Sequence, residues 1–342
     1  MRRSEITIDL GALRRNADRV RAAVDPAELW AVVKADAYGH GAVDAAGAAL
    51  RGGAAGLCVA TAQEGGELRT GFPDARILVM SPLADGEEDL ARAARLEVAC
   101  STPEVPAGLD VHLKVDTGMG RWGMALEEAL GLPRDRVVGV MSHLATADEE
   151  DESFVRRQVE RFAVAAAAFP GVPAHLANSA GALRFPEARF DAVRSGVALY
   201  GLSPFGDDPG AHGLEPVLAW RSYVALVKTL APGESTGYGR RFVAETVTRI
   251  GLVPIGYADG LRRGLTGTEV LVGGTRRRVL GSISMDSLAV ELGDDQAGTT
   301  VTLIGDGVVA EEHARVLDTI NYEITTGINR DPLRTDRRVL GG

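Results

Sequence analysis

The sequence predicts an α/β fold: a (β/α)₈, TIM-like barrel with a second, mainly β C-terminal domain. Three observations carry this reading. Short apolar runs alternate with alanine-rich helical stretches from about residue 29 to 195, the texture of a parallel sheet with crossover helices. Eight such runs occur, the number that closes a barrel. After LYGLSPFGDDPGAHGLEP (199–216), rich in glycine and proline, short β-like runs joined by glycine turns replace the helical stretches.

In chain order, ITIDL (6–10) reads as a strand that precedes a helical stretch and is expected to pair with the second domain. The barrel strands are expected at WAVV (30–33), GLCVA (56–60), RILVM (76–80), EVAC (97–100), VHLKV (111–115), VVGVM (137–141), AHLA (174–177) and DAV (191–193). Segments such as AVDAAGAALR (42–51) and DESFVRRQVERFAVAAAAF (151–169) between them are long enough for helices. EVAC and DAV are short, and without them an open sheet of six or seven strands is the alternative. The later runs LAWRSYVALVKTL, TRIGLVPIGYA, EVLVGG, RRRVLGSI, SLAVEL and TVTLIG form the β domain. The expected division is 11–213 for the barrel and 214–342, with the N-terminal strand 1–10, for the β domain.

A chain of 342 residues with 45% apolar and 25% charged residues can bury a sizeable core in two domains. Its net charge of −10 argues against nucleic acid or an anionic membrane as partner and leaves small molecules as clients. The start MRRSEITIDLGALRRN opens with two arginines, Arg2 and Arg3, but no apolar run follows them, and no 18 uncharged apolar residues stand together, so a cytoplasmic location is expected. Cys58 and Cys100 are isolated and read as buried free thiols. Only Lys34, Lys114 and Lys228 among 37 basic residues are lysines. Where a lysine survives in so arginine-rich a chain, an amine is the group wanted, since an amine can deprotonate and attack a carbonyl whereas a guanidinium cannot.

Barrel active sites sit at the carboxyl ends of the strands. Lys34 and Tyr38 follow the first strand, Arg121 closes DTGMGR after the fifth, and His143 in SHLATAD follows the sixth. Asn178 and Ser179 follow the seventh, and Arg194, Gly196 and Val197 the eighth. An amine, guanidiniums, an imidazole, hydroxyls and glycine turns on one face suit a phosphate-bearing aldehyde better than a metal, which wants grouped carboxylates or histidines. Pyridoxal 5'-phosphate fits, and no metal is expected.

Eight motifs, VVKADAYGHG, KVDTGMGRWG, SHLATAD, HLANSAG, RSGVALYGLSP, PIGYADG, SMD and TINYEI, stand in family order over the whole chain. By them the sequence resembles alanine racemase, a fold-type III pyridoxal-phosphate isomerase. The resemblance implies that Lys34 holds the cofactor and serves as one acid–base group. Tyr257 of the β domain would serve the opposite face, reaching into the barrel of the other subunit of a homodimer. Racemisation takes the α-proton from one side and returns one to the other, so two groups are needed, and a tyrosine needs nearby positive charge to act as a base. By the same resemblance Arg121 touches the substrate carboxylate region, Arg194 faces the pyridine nitrogen and His143 bonds behind it. Tyr38, Asn178, Ser179, Gly196, Val197 and Tyr322 belong with the cofactor, and Met285 and Asp286 with the substrate pocket across the dimer.

Lys114 matches a position that is a carbamylated lysine in many members; the other reading is a plain lysine paired with Asp116 or a neighbouring carboxylate. For Ser179 the alternative is a helix N-cap, and for Lys34 a strand-end lysine paired with Asp36. Ser282 and Ser284 stand where the family commonly has arginine and cysteine, Gly237 replaces a more usual serine, and the arginine-rich end INRDPLRTDRRVLGG departs from aromatic endings. The expected activity is interconversion of L- and D-alanine for peptidoglycan. A broad-specificity or serine racemase is the nearest alternative, and a non-catalytic pyridoxal-phosphate-binding protein is the alternative of another class, against which the β domain with Tyr257 speaks. A decarboxylase on the same fold would want acidic groups in the pocket and a carboxylate at the pyridine nitrogen, where this chain has Arg194.

Overall fold

The computed structural model describes residues 2–132 and 134–342; Met1 and Pro133, each inside a predicted domain range, lie outside the described residues. The chain divides into two compact units, one spanning Ala12–Phe205 and one joining the segment that ends at Gly11 to Gly206–Gly342. Strand β1 (Glu5–Asp9) belongs to the second unit.

In the first unit eight parallel strands close a barrel: β2 (Glu28–Val32), β3 (Gly56–Val59), β4 (Arg76–Val79), β5 (Glu97–Cys100), β6 (Asp110–Lys114), β7 (Val137–Met141), β8 (Ala174–His175) and β9 (Ala192–Ser195). All eight predicted runs are strands, the short EVAC and DAV included, and pairing of Leu29 with Val193 across β2 and β9 closes the ring rather than leaving an open sheet. The strands are buried on both faces, which explains their continuous apolar runs. Alanines pack the helix Ala42–Arg51, burying Ala45, Ala46, Ala48 and Ala49, so no bulky side chain holds its backbone off. The helix Ser153–Ala168 buries Val155, Gln158, Phe162 and Ala165, a three-to-four-residue spacing that makes one face. Both cysteines are free and buried, as expected, and burial pushes the Cys58 thiol up to about 12.

The barrel interior is not wholly apolar. His112, His175 and Arg194 are 0%, 1% and 3% exposed, and β7 makes room for the first of them with a glycine: a Cβ on Gly139 would lie 2.1 Å from His112 Nδ1. Neither the strand nor the enclosed ring can retreat, so Gly139→Ala is expected to cost at least about 3 kcal/mol, the upper end of ordinary overpacking. The midpoint of urea unfolding checks this, and an unchanged midpoint would show that the ring can move aside.

Among the described residues the second unit holds eleven strands, nine in one sheet and two paired apart from it. Its later members are β10 (Leu218–Tyr223), β11 (Leu226–Leu230), β12 (Ser235–Thr236), β13 (Phe242–Val243), β14 (Thr248–Val253), β15 (Glu269–Val272), β16 (Thr275–Leu280), β17 (Leu288–Glu291), β18 (Thr300–Ile304) and β19 (Asp336–Leu340). The order across the sheet is β11-β14-β17-β16-β15-β18-β10-β1-β19, with β12 and β13 paired apart. β1 runs antiparallel to β10, which ties the chain's start into this unit. β19 carries no apolar alternation to betray it; its arginines mark an edge strand kept from pairing with other chains. Among the described residues no helix is long and apolar enough to cross a membrane.

Candidate active site

β2 ends in a rare backbone. Ala35, Asp36, Ala37 and Tyr38 have φ of 52°, 51°, 54° and 55°, one turn of left-handed helix directly after Lys34. Each such residue costs an L-amino acid about 1–2 kcal/mol, and the surroundings hold the turn in place. Glu64 accepts from Ala35 N–H at 2.7 Å, Asp36 Oδ1 accepts from Ala42 N–H at 2.7 Å, and the His40 ring lies 2.9 Å from Ala37 O. Strain held this firmly is a mark of function. Lys34 itself makes no hydrogen bond or ion pair among the described residues, and its neighbour Asp36 serves the turn instead of pairing with it. Burial first, then the charge of Arg121, lowers the Lys34 amine pKa, with Glu64 acting in the opposite sense.

Arg121 stands exposed on the loop after β6. The loop closes on itself through Met124 N–H to Lys114 O and Asp116 N–H to Met124 O, each 2.9 Å. Asp116 accepts from Gly118 N–H and Gly120 N–H within that loop. The Lys114 ammonium therefore does not pair with it; it donates to Met80 O at 3.1 Å. Burial and the charges of Arg194, Arg121 and Lys34 bring its pKa down to about 8.

Arg194 crosses the barrel. Its Nη1 donates to His175 Nδ1 at 2.6 Å and His175 O at 2.8 Å, and its Nη2 to Ser142 O at 2.6 Å and Leu176 O at 3.2 Å, with His143 Nδ1 at 3.3 Å. None of these bonds uses Nε. Beside it Ser179 Oγ lies 2.9 Å from Ser195 Oγ and accepts from Gly196 N–H at 3.1 Å. A Cβ on Gly196 would meet Tyr38 Oη at 2.5 Å, so only glycine keeps this cradle open. The helix cap here is Asn178, whose Oδ1 accepts from Gly181 N–H at 2.9 Å, and Ser179 is not the cap but the first helical residue.

The barrel thus gathers Lys34, Tyr38, Lys114, His143, Asn178, Ser179, Arg194, Gly196 and Val197, with Arg121 on its rim. Tyr257, Met285, Asp286 and Tyr322 lie in the other unit. There the turns of Tyr257 and Met285 are stitched by Tyr257 N–H to Ser284 O and Ala258 N–H to Met285 O. Arg334 clamps both turns, donating to the buried Asp259 at 2.8 Å and to Asp286 at 2.7 Å. Tyr257 is 43% and Met285 53% exposed. Sequence reading missed Arg334, Glu64, His112, His175 and Glu97; the histidine before Ala177 in HLANSAG, a strand-end imidazole, was the one available sign.

Burial drives the pKa values of His112, His143 and His175 down, and that of His313 down to about 4. A histidine held neutral in the fold but free to protonate near 6.5 when unfolded gives stability that is present above pH 6.5 and lost as pH falls towards its folded value. His313 alone accounts for something on the order of 3 kcal/mol. Urea midpoints are therefore expected to drop between pH 7 and pH 5, before the carboxylates titrate; equal midpoints would show the histidines already charged.

Three features test whether these residues fit a phosphate-bearing pyridine aldehyde: an amine with no hydrogen-bond or ion-pair partner and an arginine Nε with no hydrogen bond, both among the described residues, and a hydroxyl cradle that a Cβ would fill. They fit, and a parallel barrel with such a mouth defines a pyridoxal-phosphate enzyme of the barrel type. The profile "Alanine racemase, N-terminal domain" matches residues 8–204, and "Alanine racemase, C-terminal domain" matches 217–336. The chain belongs to the alanine racemase family. It is 40% identical to the alanine racemase of Symbiobacterium thermophilum, covering 96% of each chain. The structure of alanine racemase from Streptomyces lavendulae superposes with a TM-score of 0.92 at 37% identity, covering 100% of this chain and 98% of that one. That of Bartonella henselae alanine racemase with covalently bound pyridoxal phosphate gives 0.90 at 28% identity, covering 98% and 99%. The fold and family expected from the sequence are those found.

Proposed function

We propose that this isomerase interconverts L- and D-alanine by a two-base mechanism in a cytoplasmic homodimer with shared active sites, supplying D-alanine for peptidoglycan. The observation that carries the reading is Arg194, fixed to the barrel wall through both Nη groups with Nε left over. Pyridoxal phosphate, when bound, supplies a sink for the electrons left at the substrate α-carbon. Lys34 is the amine that would hold it, as a covalent bond holds it in the Bartonella henselae relative. Tyr38, Ser179 and the backbone at Gly196 and Val197, with Tyr322 and Asn178, would keep the phosphate and ring in place.

Region 11–213 then carries the cofactor, and region 214–342 supplies Tyr257, Met285 and Asp286 to the partner's barrel. Lys34 would take or return the α-proton on one face, and the partner's Tyr257 would do so on the other. A guanidinium does not give up its proton, so Arg194 would offer the ring nitrogen a hydrogen bond without charging it. With the ring nitrogen uncharged, Arg194 would favour return of the proton to the α-carbon over its permanent loss. His143 backs Arg194, and Arg121 orients the substrate carboxylate.

Lys114, surrounded by cationic groups, has an amine easily made neutral. We read it as the carbamylation site: its nitrogen adds to carbon dioxide, a proton leaves, and the new anion faces Arg121. Carbon-13 bicarbonate should give a carbamate resonance that Lys114→Met lacks; its absence from wild type would return Lys114 to an unmodified lysine.

Racemisation followed by circular dichroism from both enantiomers tests the whole reading. Alanine should have the larger kcat/KM over serine, by the roughly 10- to 200-fold that one small group can give. A serine preference, to which Ser284 would point, would sink the alanine assignment, and cofactor binding without turnover would make the chain a carrier.

A further inference from the structure

We infer that Glu97, at the opposite end of the barrel from Lys34, is a positioning residue for the reaction: it sets the direction of every hydrogen bond in a buried chain that ends on Arg194. Arg194 Nη1 stands 2.6 Å from His175 Nδ1, His175 Nε2 stands 2.7 Å from His112 Nδ1, and His112 Nε2 stands 2.7 Å from Glu97 Oε2. Arg76 closes the far end, donating from Nε and Nη2 to the two Glu97 oxygens at 2.8 and 3.0 Å. The chain runs from the third residue of β9 through the second of β8 and the third of β6 to the first residues of β5 and β4. It therefore spans the barrel interior from mouth to base.

Its two ends have fixed chemistry. A guanidinium only donates and a carboxylate only accepts, while a neutral imidazole has one N–H and one lone pair. Only one arrangement satisfies all three links: both rings carry their proton on Nε2 and present the Nδ1 lone pair towards Arg194. Burial keeps both rings neutral, so neither can donate from both nitrogens. Burial also acts to raise the Glu97 carboxyl, but the bonds from His112 and Arg76 outweigh it and hold the pKa low, so the terminus stays an acceptor.

The surroundings are shaped for this chain. Gly139 admits the His112 ring, and Trp30 stacks on His175 at 5.8 Å and meets His112 edge-on at 5.6 Å. The Arg76 guanidinium sits 4.5 Å over the Trp30 ring. Barrel interiors are ordinarily filled by layers of branched apolar side chains, and a buried polar chain earns its place only when every member is satisfied. Here the satisfied direction is the one that gives Arg194 an acceptor. Were His175 turned to present N–H, donor would face donor at Nη1, and the guanidinium, still held by the carbonyls of His175, Ser142 and Leu176, would lose the bond that fixes its angle. The inference rests on the reading of Arg194 as the residue at the pyridine nitrogen.

The test uses full-length protein grown with nitrogen-15 histidine, whose six histidines give few enough ring signals to assign by single substitution. Wild type, without cofactor and with it, should show His112 and His175 with pyrrole-type Nε2 and pyridine-type Nδ1. Glu97→Leu should lose the single tautomer at both rings and lower kcat for alanine about tenfold, as loss of a supporting hydrogen-bond partner does elsewhere, with little change in KM. Glu97→Gln keeps an acceptor oxygen and should restore the tautomers and most of kcat. A protonated Nδ1 on either wild-type ring overturns the inference whether or not a variant folds. So does a Glu97→Leu protein with wild-type tautomers and kcat. If the tautomers are as stated and Glu97→Leu scrambles them but wild type racemises nothing, Glu97 still directs Arg194, and it is the racemase reading that has failed.

Discussion

Lys34→Ala is expected to lose racemisation by at least about a thousandfold, because on the proposed mechanism one residue would both hold the cofactor and move the proton on one face. The fold should survive. Lys34 makes no hydrogen bond or ion pair among the described residues, and burying its ammonium is unfavourable, as its lowered pKa shows. The left-handed turn that follows is held by Glu64 and Asp36. Urea midpoints of variant and wild type should therefore agree or favour the variant, while borohydride fixation of pyridoxal phosphate to the chain disappears. Lys34→Arg separates the two properties of the side chain: it keeps the charge and loses the amine that can deprotonate, and it should be as inactive as the alanine variant. Activity within tenfold of wild type in either protein would remove Lys34 from the mechanism.

The position of this lysine was legible because the sequence uses arginine almost everywhere else, and because a strand pattern ends just before it. The turn was not. Glycines at 39 and 41 signal a bend, yet the left-handed conformation falls on Ala35, Asp36, Ala37 and Tyr38, of which only the aspartate has any local leaning towards it. It exists because Glu64, 29 residues on, accepts from its first N–H. All eight barrel strands were legible, since burial on both faces leaves them mostly apolar, with His112, Lys114, His175 and Arg194 among the buried exceptions. The chain from Arg194 to Glu97 was hidden for the converse reason: its members lie 19, 63 and 15 residues apart, and a lone histidine on a strand has no spacing to announce a partner. Closure of the barrel creates that neighbourhood. The arginine-rich end read as a departure from the family, whereas Arg334 within it ties the Tyr257 turn to the Asp286 turn.

That clamp gives the second large expectation. Tyr257→Phe should lower racemisation by about a hundred- to ten-thousandfold, the range for a lost acid–base group, with cofactor binding and stability intact. The ring is 43% exposed and its hydroxyl makes no hydrogen bond among the described residues, so nothing in the β unit's own core depends on it. The turn beneath it is rigid: Asp259 is wholly buried and bonded to Gly256 N–H at 2.9 Å and to Arg334 at 2.8 Å. A side chain displayed on so fixed a base, with no role at home, fits a group supplied to a neighbouring barrel. The variant should still exchange the α-proton of one enantiomer with deuterium oxide at Lys34 without inverting it, and fail with the other. Equal exchange of both would mean that one group serves both faces. Mixing inactive Lys34→Ala and Tyr257→Phe subunits then decides whose tyrosine is used. With sites shared across the dimer, a hybrid holds one site with both wild-type groups and regains activity; with each chain serving itself, every site in the hybrid lacks one group and none returns.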